Sequence, residues 1–465
     1  MLASANPKYD LKKTKVFANP NIRDMPAFMP DNLHPLIHQE AEKYRRVAIF
    51  GAGVSGRSAQ SLGIALGLDV CLFDEGEQGD ASEFNNELLD VFDAFILSPG
   101  FAATHPWRIL AESSSKPCYS ELGFAALHWR GRLIGITGTN GKTTLTSLLV
   151  KALRDLGNNA IEAGNIGTPL SDFILADSNQ KETYAVCEIS SFQAELTRGL
   201  QLDGLIWTNF AEDHLNRYAS MKEYFAAKRN LIECLKTDAS AFLGASVCAF
   251  DPTVSTALNV FVIENDSKWI EQLADKSPFR RRPQSDNFTL AAAFWTHYGF
   301  FMKSLINSAN TFQLAAHRLS LVSEWNGVSF WNDSKATNFH AALAAIDAVN
   351  ILKGNIYWIC GGSGKGGGIK AFAESAAAKV KMIFVYGEVA DEMANYFRET
   401  GARFELYADF VMAVRAATEA AWQDTPSSVL LSPGFASFDQ FSKYTARGDA
   451  FISTIFKLKD NHCTA

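Results

Sequence analysis

Gly138-Thr139-Asn140-Gly141-Lys142-Thr143-Thr144 follows directly on the apolar run Leu133-Ile134-Gly135-Ile136, and this stretch decides how the rest of the chain is read. A buried strand that empties into a glycine-rich turn and then a helix is an α/β unit, and such a turn is built for phosphate. Its glycines let backbone N–H groups close around phosphate oxygens, Lys142 brings positive charge to the outer phosphates, and Thr143 offers a hydroxyl to Mg²⁺. Residues 145–156 read as the helix that follows. The full phosphate-loop pattern asks for a glycine five residues before Gly141, where Ile136 stands. The competing reading is a plain strand-to-helix turn with a surface lysine. Strand, glycines, lysine and paired threonines in order favour a nucleoside triphosphate.

The 465 residues are too many for one ordinary core, and about 100–200 residues per domain points to two to four domains, with three as the working number. A hydrophobic fraction of 47%, a charged fraction of 20% and a net charge of −7 suit a folded protein with no surface for nucleic acid. The seven cysteines are scattered, without a CxxC pair, which fits a reducing cytoplasm and argues against a zinc site. No apolar run approaches the roughly 20 residues that span a bilayer, so no membrane insertion is expected. A cytoplasmic location follows.

Residues 1–45, with prolines at 7, 20, 26, 30 and 35, read as an irregular extension of unknown role. Residues 46–116 read as a Rossmann-like domain: the strands Val47-Ala48-Ile49-Phe50, Val70-Cys71-Leu72-Phe73 and Ala94-Phe95-Ile96-Leu97, with Gly51-Ala52-Gly53-Val54-Ser55-Gly56 after the first. Residues 117–314 form the central block around the phosphate loop, with further strands Tyr184-Ala185-Val186-Cys187 and Gly204-Leu205-Ile206-Trp207. Residues 315–465 alternate strands such as Val328-Ser329-Phe330-Trp331, Ile356-Tyr357-Trp358-Ile359, Met382-Ile383-Phe384-Val385 and Val429-Leu430-Leu431 with alanine-rich helices. The fold class is α/β in three domains: N-terminal Rossmann-like, central phosphate-loop ATPase and C-terminal Rossmann-like.

The glycines 51, 53 and 56 cradle a diphosphate or form a turn that binds nothing; the motif alone leaves both open, with NAD, FAD or a nucleotide-sugar as the ligand. Glu188, in Glu188-Ile189-Ser190-Ser191-Phe192-Gln193, and His214, in Glu212-Asp213-His214-Leu215-Asn216, each stand just beyond a strand. Two strand ends thus deliver metal-competent groups to the block that holds the phosphate loop. The loop Asn332-Asp333-Ser334-Lys335-Ala336-Thr337-Asn338, with His317-Arg318 upstream, is dense in hydrogen-bonding groups and suits a substrate. Gly361-Gly362-Ser363-Gly364-Lys365-Gly366-Gly367-Gly368 suits an anion, and Ser432-Pro433-Gly434-Phe435-Ala436-Ser437-Phe438 is another strand exit, with Arg447-Gly448-Asp449 beyond it.

In order, GTNGKTT, EISSFQAE, EDHLNRY, YFAAK, AHR, NDSKATN, GGSGKGGG and SPGFASFDQF resemble the Mur ligases from about residue 46 to about residue 456. Within that family the pattern is most similar to the branch that adds D-glutamate to UDP-N-acetylmuramoyl-L-alanine in peptidoglycan synthesis. The resemblance implies a carboxylate activated by ATP as an acyl phosphate and then captured by an amine. It implies two Mg²⁺ ions, one served by Thr143 and Glu188, the other by His214 and Lys228, the lysine carrying CO₂ as a carbamate. It further implies Asn287, Arg318 and Asp333 at ATP and Lys335 near the reacting phosphates. Val54, Ser55, Asp74, Ser98, Gly100, Asn165 and His214 would meet the UDP-substrate, and Thr337, Lys365, Ser437 and Tyr444 the amino acid.

Three departures mark this chain. The family's HNxxN near adenine reads Asp286-Asn287-Phe288-Thr289-Leu290, Tyr444 stands in place of Phe, and Gly434-Phe435 replaces a pair of small residues. The alternatives are a relative adding another amino acid, folylpolyglutamate synthase, a non-catalytic nucleotide switch, and an NAD-dependent oxidoreductase that would leave the second phosphate loop unused. A monomer is the expected state.

Overall fold

A computed structural model describes residues 44–257, 259–264, 267–352, 354–364 and 367–463. The expected extension therefore lies outside the described residues except for Tyr44 and Arg45. The α/β class is as expected, in three mainly parallel sheets.

The first sheet holds β1 (Arg46–Phe50), β2 (Asp69–Phe73), β3 (Ala94–Leu97) and β4 (Cys118–Ser120) in the order β2-β1-β3-β4, all parallel. The chain leaves β1 through helix α1 (Val54–Ala65) to β2 and returns on the other side as β3. The carboxyl ends of β1 and β3 thus flank the switch point at which open α/β sheets bind ligands. Gly56 lets α1 sit tightly there, since a Cβ would lie 1.8 Å from the Gly51 carbonyl oxygen. A cluster of Phe50, Phe73, Phe84, Phe92, Phe95 and Trp107 fills the core in edge-to-face contacts such as Phe50–Phe73, centroids 5.9 Å apart. The polar stretch 113–117 is followed by β4, which pairs with β3, so this sheet closes at Ser120.

The second sheet holds β5 (Arg132–Thr137), β6 (Ala160–Gly164), β7 (Tyr184–Glu188), β8 (Gly204–Trp207), β9 (Ala241–Gly244) and β10 (Val260–Ile263) in the order β10-β9-β8-β5-β7-β6. Its helices include α2 (Lys142–Asp155), α3 (Met221–Arg229) and α4 (Gln284–His297). Helix α2 starts a turn earlier than the expected residue 145, because Lys142, Thr143 and Thr144 are themselves its first turn. Gly141, at φ 84°, makes the abrupt entry possible.

The third sheet holds β11 (Ser320–Trp325), β12 (Val328–Asn332), β13 (Asn355–Gly361), β14 (Met382–Tyr386), β15 (Phe404–Tyr407) and β16 (Ser427–Gly434) in the order β11-β12-β16-β13-β14-β15. Only β11 runs antiparallel to its neighbour. Helices α5 (Phe339–Asn350) and α6 (Tyr444–Cys463) follow β12 and β16. Strand β13 reads as one apolar run because both its faces are covered: Trp358 joins one buried cluster with Phe372 and Phe397, and Tyr357 joins another with Phe384 and Phe451.

Two compact units divide the chain. The first comprises residues 1–137, 153–206 and 226–241, and the second residues 138–152, 207–225 and 242–465. In the first unit, Arg108 Nη1 donates to Glu195 Oε2 at 2.5 Å and Ser58 Oγ to Asp172 Oδ1 at 2.5 Å. Glu121, fully buried just after β4, accepts hydrogen bonds from Ser171 N at 2.9 Å and Ser171 Oγ at 2.7 Å. Burial nevertheless pushes its carboxyl up to about 7, outweighing both bonds.

The native state therefore holds the proton more tightly than the unfolded chain, and stability falls as pH rises between 4.5 and about 7. Glu121→Gln, which cannot ionise, is expected to gain on the wild type in urea midpoint at pH 8 compared with pH 4.5. An equal gap at both pH values would refute this account of Glu121.

Candidate active site

The phosphate loop is built within the second unit. Gly138, at φ 144°, lies so close to the chain leaving β8 that a Cβ would sit 1.9 Å from Thr208 Oγ1. That hydroxyl donates to Asn140 O at 2.6 Å, and Asn209 Nδ2 donates to the same oxygen at 3.0 Å. Asn209 also accepts, at Oδ1 from Asn140 N at 2.9 Å and at its carbonyl from Thr139 N at 3.1 Å. The amides of Thr139 and Asn140 therefore brace the loop instead of facing phosphate. Thr139 Oγ1 accepts from Ala211 N at 3.1 Å and lies 3.2 Å from the Tyr224 hydroxyl on α3. Lys142 Nζ folds back to donate to Gly138 O and Thr139 O, both at 2.9 Å. Asn287 on α4 abuts the loop, since a Cβ on Gly141 would lie 2.4 Å from its Oδ1. Asp286, in the place of the family pattern's histidine, has its Oδ1 3.4 Å from Arg282 Nε, and burial raises its carboxyl above the usual range.

Asn140 reaches the third sheet's helix α5 directly. Its Nδ2 donates to Asn338 Oδ1 at 3.3 Å and lies 3.1 Å from His340 Nδ1, while Asn338 Nδ2 donates back to Asn140 Oδ1 at 3.0 Å. Asn338 also caps α5, accepting from Ala341 N at 2.9 Å, and donates to Asp213 Oδ2 at 3.0 Å. His214, beside Asp213, is held in the left-handed region at φ 57°, with Nε2 3.8 Å from Asp213 Oδ2.

At the exits of the third sheet, Asp333 is buried and accepts from Leu319 N at 3.0 Å and from Ser432 Oγ at 2.9 Å. Burial lifts its carboxyl to about 7, against those bonds and the positive charge of Arg318. Arg318 stands between two residues with left-handed backbones, His317 at φ 64° and Leu319 at φ 48°. Lys335 Nζ lies over the Tyr444 ring, 4.4 Å from its centroid, so the lysine expected near the reacting phosphates meets the tyrosine expected at the amino acid. Ser437 is buried and Thr337 half-buried; Lys365 lies outside the described residues.

In the first unit, Asn165 Nδ2 donates to Glu188 Oε1 at 2.9 Å, so a residue expected at the UDP-substrate orients one expected at a metal. Lys228 is 1% exposed and its Nζ donates to Thr137 Oγ1 at 3.3 Å. Asp74 accepts from Ala52 N at 2.8 Å and Gly76 N at 3.0 Å, and the Ala52 amide is the main reason its carboxyl is held below the usual range. Asp74 thus shapes the glycine loop. Ser98 Oγ donates to Gly51 O at 3.3 Å; Val54 and Gly100 are exposed and Ser55 is half-buried. Sequence alone assigns no role to Thr208, Asn209, Asp213 or Asn338. Only Asn338 carried a local signal, as a capping residue before an apolar helix.

Residues 136–281 match the Mur ligase middle domain, and residues 317–434 match the Mur ligase, glutamate ligase domain. A UDP-N-acetylmuramoylalanine--D-glutamate ligase from Francisella philomiragia is 30% identical over 423 residues, covering 90% of this chain and 98% of that protein. A protein of the same name from Paramagnetospirillum magneticum is 32% identical over 449 residues, covering 88% and 96%. The chain belongs to the Mur ligases. Solved Mur ligase structures share the fold at lower identity. MurF from Acinetobacter baumannii aligns with a TM-score of 0.57 at 16% identity over 79% of this chain and 92% of its own. MurC from Thermotoga maritima aligns with a TM-score of 0.56 at 13% identity over 89% and 99%. Ile136, the apparent defect in the phosphate loop, falls at the first residue of the Mur ligase middle-domain match.

Gly138→Ala should weaken binding of a fluorescent ATP analogue at least about tenfold, because the added methyl displaces Thr208 from the loop. Gly157→Ala is the control: it has a similar left-handed backbone, at φ 83°, but its Cβ would meet nothing within 4 Å. It should lower stability by about 1 kcal/mol and leave binding unchanged.

Proposed function

We propose that this chain joins D-glutamate to UDP-N-acetylmuramoyl-L-alanine at the expense of ATP. The near full-length likeness to ligases named for that reaction carries the reading. The three sheets are read as three domains. The first takes the UDP-substrate at the β1–β3 switch through Val54, Ser55, Ser98 and Gly100, the second takes ATP at residues 138–144, and the third takes the amino acid.

The reaction needs a carboxylate made electrophilic. The alanyl carboxylate attacks the γ-phosphorus of ATP, ADP leaves, and the acyl phosphate forms. The D-glutamate amine, as the free base, then attacks the carbonyl carbon; phosphate leaves and the amine proton is lost. Lys142 steadies the γ-phosphoryl group and Lys335 the charge that builds on the phosphate. Asn287, Arg318 and Asp333 orient the nucleotide. Thr337, Lys365, Ser437 and Tyr444 hold the amino acid, the cationic and hydroxyl groups matching a diacid.

The hard oxygens of Thr143 and Glu188 suit Mg²⁺, and the Asn165 bond to Glu188 fixes the carboxylate's orientation. Bound there, Mg²⁺ would neutralise phosphate charge. His214 and Lys228 would serve a second ion. An ammonium cannot ligate a cation, so Lys228 acts as its carbamate: the neutral amine adds CO₂, loses a proton and becomes an anion. Its near-complete burial supports this, since a side chain held out of water and beside Thr137 is spared competing hydration.

Phosphate release from ATP with UDP-N-acetylmuramoyl-L-alanine and a panel of amino acids tests the acceptor. D-glutamate is expected to give the highest kcat/KM, and preference for another amino acid would overturn that assignment. Lys228→Ala is expected to lose at least about 100-fold in kcat. Wild-type activity should also fall in solutions stripped of bicarbonate. Full activity of Lys228→Ala without bicarbonate dependence would exclude the carbamate.

A further inference from the structure

Arg447 on α6 is fully buried, and its guanidinium is saturated by the exit loops of the third sheet. Nε donates to Ser334 Oγ at 3.0 Å. Nη1 donates to the Tyr386 hydroxyl and to Ala436 O, both at 3.2 Å. Nη2 donates to Ser334 O at 2.9 Å and to Phe435 O at 3.1 Å. These account for all the N–H groups a guanidinium has. Every one of these acceptors is an uncharged oxygen.

The partners matter more than their number. Ser334 lies between Asp333 and Lys335, and its hydroxyl donates to Tyr444 O at 2.8 Å. Phe435 and Ala436 lead directly into Ser437. One planar group therefore sets the loop after β12 against the loop after β16 and against the first turn of α6. The next residue continues the clasp: Asn332 Nδ2 donates to Gly448 O at 3.0 Å, and Gly448 packs so closely on His317 that a Cβ would lie 2.1 Å from its Nδ1. For stability alone an apolar side chain would serve such a site as well, because burying a cation costs free energy that its hydrogen bonds must offset.

We propose that Arg447 is the positioning residue of the amino-acid pocket. It holds Ser437, Thr337 and the Lys335–Tyr444 pair in register without itself touching substrate. The proposal rests on the assignment of Ser437, Thr337 and Tyr444 to the amino acid and of Lys335 to the phosphates beside it. A lysine cannot replace it, since three donors on one nitrogen cannot reach oxygens on three sides of a plane.

The test measures KM for the amino acid, ATP and the UDP-substrate in Arg447→Lys and in Arg447→Ala with and without added guanidinium. The amino acid used is whichever the wild type accepts, so a wrong acceptor shows in the wild type and is kept apart from failure of the positioning role. Arg447→Lys should raise the amino-acid KM about tenfold, the worth of one or two lost charged hydrogen bonds, with the UDP-substrate KM within about twofold. Added guanidinium should lower the amino-acid KM of Arg447→Ala selectively. An unchanged amino-acid KM, a parallel rise of all three KM values, or no response to guanidinium would overturn the proposal. Should the Arg447 variants fail to fold, Ser334→Ala decides: it removes the Nε acceptor and the link to Tyr444. A selective rise in amino-acid KM supports the role, and its absence refutes it.

Discussion

The glycine-rich loop after β5 depends on the close approach of Gly138 to Thr208. Gly138 and the Thr208–Asn209 exit of β8 come so near that a side chain at residue 138 is excluded, and this contact lets Asn209 and Thr208 take hold of the loop through its own amides and carbonyl. The loop is thereby shaped before any ligand arrives. Preorganised dipoles are worth more than dipoles that must turn to meet a charge. Lys142 is held against the loop by its bonds to the carbonyls of Gly138 and Thr139.

A common device runs through the sheets. Parallel strands bring their carboxyl ends to one edge, and the exit loops gathered there are tied by polar side chains. In the first sheet, Asp74 gathers the glycine loop through the Ala52 amide. In the second, Thr208 and Asn209 do so. In the third, Asp333, bonded to Leu319 and Ser432, and Arg447 share the work. Loops that must present reactive groups cannot rely on apolar packing, so buried hydrogen bonds hold them instead.

What was legible in the sequence follows burial. Strands such as β1, β5, β13 and β16 are covered on both faces and read as continuous apolar runs, so their positions were clear. The strands that went unread were β4, β6, β9, β10, β11 and β15, and all but β9 stand at the edge of a sheet. An edge strand keeps one side towards solvent and can carry polar residues, as Glu162 in β6 and Glu405 in β15 do. Strand β9, Ala-Phe-Leu-Gly, is buried but only four residues long. The phosphate loop was legible because its chemistry is local. Its braces were not, because Asn140 and Asn209 are 69 residues apart in sequence and only folding brings them together. Arg447 was visible as a residue, but its five acceptors come from Ser334, Tyr386 and the pair Phe435–Ala436, which only folding brings together.

The pairing of Asn140 with Asn338 has a consequence of its own. Two flat amides lie edge to edge and exchange donors and acceptors in both directions, at 3.3 Å and 3.0 Å, much as two bases do across a nucleic-acid duplex. Neither side chain is charged, so their mutual attraction is not weakened by dissolved salt and does not titrate near neutrality. The pull proposed for Lys142 on a polyphosphate would vary with ionic strength; the registration of the loop against helix α5 does not. Strength of attraction and accuracy of alignment are thus assigned to different forces, and a change in the ionic surroundings alters the first while leaving the second in place.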